Sequence, residues 1–132
     1  MSELHDLHAQ LLQMLNELEE LTAQPAPDEA ELASLRYRLT RTSSARRKHV
    51  DLICSELKPT LAGSDAAALD ALHDSNTAAM TASSEHISTW SLREVVKNWP
   101  GYCQASQALR RSMRAQIEAE KAALYSHLQD GS

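Results

Sequence analysis

Leucines recur along the first twenty residues at spacings of three and four: Leu4, Leu7, Leu11, Leu15, Leu18 and Leu21. A period near 3.6 residues gathers them into one stripe and predicts a first helix from about Glu3 to Ala23. Gln24-Pro25-Ala26-Pro27 ends it, because a proline disfavours helical backbone in the residue before it. Asp28 is the expected N-cap of a second helix, with Glu29 and Glu31 in a first turn where the helix dipole favours acid. That helix is predicted to reach about Lys58, with Leu32, Leu35, Leu39, Val50, Ile53 and Leu57 inward. Pro59 and Gly63 mark its end.

A third helix, capped by Ser64 or Asp65, is read from the stripe Leu69, Leu72, Met80, Ser83, Ile87 and Trp90. Its middle, Asn76 to Ser84, is small and polar, so its phase is the least sharply written of the four. Lys97-Asn98-Trp99-Pro100-Gly101 predicts the next turn. A fourth helix follows to about His127, with Leu109, Met113, Ile117, Glu120 and Leu124 inward. Long amphipathic helices joined by short connections predict an all-α, antiparallel up-down-up-down four-helix bundle, one domain over residues 1–132.

Composition supports helix and narrows function. Hydrophobic residues make up 42% and aromatics 4%, Phe is absent, and there are three Gly and four Pro; such a chain favours helix over sheet. No run approaches the roughly 18 apolar residues of a membrane span, and the acidic, polar start is unlike a signal peptide. No membrane partner and a cytoplasmic location are therefore expected. Cys54 and Cys103, in no Cys-x-x-Cys motif, are expected as free thiols. A net charge of −5 argues against nucleic acid as a partner of the whole chain. The Arg36, Arg38, Arg41, Arg46, Arg47, Lys48 set and Arg110, Arg111, Arg114 face an acidic first helix, and intramolecular pairing is the expected use. Their alternative use is a basic face for an acidic protein or nucleic-acid partner, with no aromatics beyond Tyr37 among the arginines to stack on single-stranded bases. Leu12, Leu92 and Val95 lie off the inward stripes and would suit a homodimer face.

Candidate chemistry lies where polar residues meet those stripes. At 100° per residue, His8 and His49 fall on the stripe edges of the first two helices. His73 flanks the third, His86 sits farther off, and Glu120 is near the centre of the fourth. Arg46 points inward one turn before His49. A carboxylate so central is costly to bury unless paired or metal-bound. His8 precedes His49 by 41 residues and His73 precedes Gln116 by 43. Two similar helical hairpins would bring all of these to one level, where bundles hold carboxylate–histidine metal sites.

At these residues the chain resembles the hemerythrin-like (HHE) domain family. The resemblance maps His8, His49 and His73 onto the family's histidines and Glu120 onto its last glutamate. Trp99-x-x-Tyr102 opens the fourth helix in the family manner, and Leu57-Lys58-Pro59 and Leu124-Tyr125-Ser126 keep the register of the two tails. Ile53 stands where the second helix should carry a glutamate, and Gln116 where the fourth should carry a histidine. The resemblance therefore implies a degenerate relative without an intact di-iron site.

Three functional readings follow. The first is a metal-free, non-catalytic binding or regulatory protein, in which Arg46 neutralises Glu120 with help from His8 or His73. The second is one iron or zinc ion on His8, His49 and Glu120, with His73 as a fourth ligand, acting in oxygen, nitric oxide or metal sensing. The third is an interaction module for a partner protein. No Gly-rich phosphate loop, Gly-x-Ser-x-Gly elbow or paired-carboxylate motif points to an enzyme.

Overall fold

Asp28 caps as its side chain predicts: with extended backbone, its carboxylate accepts from the Glu31 amide at 3.2 Å. The helix it opens, α2 (Glu29–Leu57), follows α1 (Glu3–Thr22) across the Pro25–Pro27 turn. A short 3₁₀ turn, Lys58–Thr60, leads to α3 (Gly63–Thr89), α4 (Leu92–Lys97) and α5 (Trp99–Leu128). The computed structural model describes residues 3–128, and every regular element among them is helical. α1 packs on α2 and α5, while α3 leans on α5 more than on α2.

Two departures from the expected elements have local causes. α3 begins at Gly63, whose φ of 63° is the left-handed backbone that glycine adopts without steric cost. Neither Ser64 nor Asp65 caps it; Ala62 holds the N-cap position and no side chain bonds there. The chain then breaks after Thr89. Ser91 caps a separate short helix, its Oγ accepting from the Glu94 amide at 3.3 Å. This kink turns Val95 fully into the core and leaves Leu92 partly exposed. Val95 is thus a core residue and contributes nothing to a dimer face.

The α3 stripe is also rotated from the expected one. Leu69, Leu72 and Asn76 are buried, and Ala79, Ser83, His86 and Trp90 are half-buried. These positions alternate by three and four, the narrow seam of closely packed helices. Met80 and Ile87 each lie one residue past that seam, and both are exposed.

The core divides into two apolar clusters. One gathers Leu11, Leu15, Leu18, Leu32, Leu35, Leu39, Val95, Trp99, Tyr102 and Ile117. The other holds Leu4, Val50, Ile53, Leu69, Leu72 and Leu124. Between them along each long helix stand buried polar residues: His8 in α1, Ser43 and Arg46 in α2, Asn76 after Leu72 in α3, and Glu120 in α5. At the far side of the first cluster, Tyr102 stacks on Trp99 at 5.8 Å and meets Trp90 edge-on at 5.7 Å. Trp99 Nε1 donates to the Gln24 carbonyl at 2.9 Å, tying the start of α5 to the α1–α2 turn.

Candidate functional site

Glu120 is fully buried and carries the network. Its place on α5, between Ile117 and Leu124, directs it into the core with them. Oε1 lies 2.7 Å from His8 Nε2. Oε2 accepts from Arg46 Nη1 and, at 3.2 Å, from Gln116 Nε2 one turn earlier. The other ring nitrogen of His8, Nδ1, is 2.5 Å from the Tyr125 hydroxyl. A single tautomer serves a neutral His8: Nε2–H donates to the carboxylate and Nδ1 accepts from Tyr125. The chain of bonds then runs from Tyr125 through His8 to Glu120, which Arg46 and Gln116 meet from the other side.

Electrostatics agree with that assignment. A buried carboxylate needs a counter-charge and filled lone pairs, and Arg46, only 6% exposed, supplies the charge. Burial first, then the negative charges of Glu120 and Glu118, raise the Tyr125 hydroxyl above its ordinary value, keeping it a donor. The Cys54 thiol is raised too, by burial and then by Asp51 and Glu120.

Of the four residues the resemblance offers as metal ligands, the structure joins two. His8 and Glu120 are in contact. His49 is half-buried and stands outside the network. His73 is two-thirds exposed, 3.8 Å from Asp51 on the α2 surface. The rotated α3 seam explains this placement, since His73 follows the inward Leu72 by one residue and points about 100° away. The inward histidine of α3 is instead His86, whose ring lies 5.8 Å from that of Tyr102. Burial, reinforced by the Arg36 guanidinium, lowers its pKa. Ile53 and Gln116 are both buried, the first within the apolar cluster, the second on Glu120.

Iron or zinc does not fit these residues. Among those described, no three His, Cys, Asp or Glu side chains form a group able to hold a metal ion. Both oxygens of Glu120 are already engaged, and a guanidinium lies against one of them. No family model matches the chain, and neither the curated proteins nor the solved structures contain a match.

Some members escaped the sequence reading. Tyr125 enters the sequence pattern only through its tail register, yet it lies five residues past Glu120 and reaches His8. Asn76 replaces an apolar residue on the α3 seam, and its Nδ2 is 3.5 Å from Asp51 Oδ1. Arg36 donates to the Trp90 carbonyl at 2.5 Å and lies 5.7 Å over the Tyr102 ring. The one signal for these was periodicity: Asn76 fits the three-four spacing from Leu69 and Leu72 better than Met80 does.

Proposed function

We propose that the chain is a hemerythrin-like up-down-up-down bundle that holds an internal ion pair where that family holds metal, and that it acts as a non-catalytic binding or regulatory protein. The observation that carries this reading is Arg46 on Glu120 inside the core. A permanent cation there satisfies the acid without any metal, and the arginine comes from the turn before His49. The order of residues supports the topology. α1 and α3 begin in the Leu4–Leu69 cluster, while α2 and α5 end in it, as alternating helix directions demand. Exposed Leu52, Met80, Leu92 and Val96 offer apolar contact to a partner protein or a second copy.

The test is metal content of the native-sequence protein, expressed without a histidine tag in iron- and zinc-supplemented medium. Far less than one ion per chain is expected, unchanged in His49→Ala. Near-stoichiometric iron or zinc that disappears in His49→Ala would replace this reading with the single-metal one.

A further inference from the structure

A cavity of about 490 Å³ opens between the last turns of α1 and the middle of α5, away from Glu120. Its size falls within the range of small-molecule sites. Arg110, Arg111 and Arg114 line it, and Gln104 and Gln107 continue the same face of α5. Thr22 closes it from α1. From Cys103 to Arg114 the wall runs about 16 Å at the helical rise.

Arg110 sets this cavity apart from a solvated charged surface. It is only 7% exposed, and its Nη1 donates to Ser106 Oγ at 2.6 Å. Among the described residues no carboxylate forms an ion pair with Arg110 or Arg111. The acid in the cavity wall, Glu19, is taken by Arg114 at 3.0 Å, and the same nitrogen of Arg114 also reaches Asn16 Oδ1 at 3.0 Å. Three guanidinium groups and one carboxylate leave an excess of two positive charges, in a chain whose net charge is −5. Burial lowers the Arg110 pKa; Glu19 partly offsets this and Arg114 adds to it. On α2, by contrast, Arg46 is paired with Glu120, Arg38 with Glu17, and Arg36 donates to a carbonyl.

We propose that this cavity binds a small molecule bearing a phosphate group, with the phosphoryl oxygens on Arg110 and Arg111 and a polar body along Gln107 and Gln104. Guanidinium is the side chain best matched to phosphate oxygens, and the amides provide both donors and acceptors for the remainder. The inference uses only these residues and is independent of the hemerythrin-like reading.

Isothermal titration of the full chain with pyrophosphate, at constant ionic strength set by chloride, tests it. Saturable binding of one pyrophosphate per chain is expected. Arg111→Gln, at an exposed position, should weaken it about tenfold, the size of one charge-assisted hydrogen bond. Arg110→Gln should weaken it further, and Arg93→Gln on α4 should leave it unchanged. If Arg110→Gln fails to fold, Gln107→Glu takes its place, since a carboxylate there repels phosphate. Absence of saturable binding, or wild-type affinity in both Arg111→Gln and Gln107→Glu, overturns the proposal. Vesicles containing phosphatidic acid separate a lipid headgroup from a free phosphate compound. Capture on them without pyrophosphate binding also overturns it.

Discussion

Removing the Arg46 guanidinium leaves Glu120 buried with its charge uncompensated, and His8 and Gln116 supply hydrogen bonds but no fixed cation. Arg46→Ala should lower the free energy of unfolding by about 3–5 kcal/mol, as when one member of a buried pair is deleted. Urea denaturation measures it, and a loss under about 1 kcal/mol would mean that water or His8 suffices. A second residue-level outcome concerns Cys54, whose thiol is raised by burial and then by Asp51 and Glu120. Asp51→Asn, at an exposed position, removes one of those charges and should lower the pKa. Site-resolved alkylation near pH 8 should then run faster at Cys54 and be unchanged at Cys103, because the thiolate is the nucleophile. Equal rates at Cys54 in both proteins would deny the coupling. The inward positions of His8, Arg46 and Glu120 were legible because α1, α2 and α5 carry strong leucine stripes against which a polar residue's angle is sharp. His73 was misplaced because α3 has no such ruler beyond Leu72.

Among the elements, α3 shows why a phase can be lost. Met80 and Ile87 are its largest aliphatic residues after Leu72, and hydrophobicity alone draws the stripe through them. The seam that packs uses Asn76, Ala79 and Ser83, small enough for close approach to α5 yet nearly silent on any apolar scale. α4 was hidden for a related reason: Ser91 reads as one more polar residue until its cap on Glu94 is seen. The rotation brings His86 against Tyr102 and Arg36, and its lowered pKa has a definite sign for stability. Between the lowered folded value and the ordinary one, about 6.5, the unfolded chain binds more protons than the folded one. The contribution of neutral His86 is therefore present above about pH 6.5 and is lost as the pH falls through the folded value. His86→Gln should make the decline in urea midpoint from about pH 7.5 to about pH 5 shallower than in wild type. Parallel declines would place the acid sensitivity elsewhere.

For the molecule as a whole, the layer of His8, Arg46, Gln116 and Glu120 interrupts a core that would otherwise be continuous. Helical class and the single polar level were readable from spacing, because each long helix carries its polar residues between apolar ones. The partnership inside the layer was readable as Arg46 on Glu120 with help from His8 or His73, but not which histidine nor that Gln116 joins, since contacts across helices depend on rotations that one helix does not reveal. An ion pair in such a place need not stabilise: the cost of removing both charges from water often exceeds their attraction, and apolar replacements of similar volume commonly add about 1–4 kcal/mol. The combined variant His8→Leu, Arg46→Met, Gln116→Leu, Glu120→Leu should therefore unfold at higher urea than wild type, with helical content unchanged by circular dichroism. Tyr125 loses its partner in this variant, but it is only half-buried, so water can satisfy its hydroxyl. If the apolar variant is instead less stable, the layer is a net stabilising element and its presence needs no functional reason. If it is more stable, wild type keeps a buried charge pair that folding alone does not require. In that case the pair's purpose lies in fixing how the helices align or in what the protein binds, and loss of a unique packed state in the variant, seen as broadened side-chain resonances, decides for alignment.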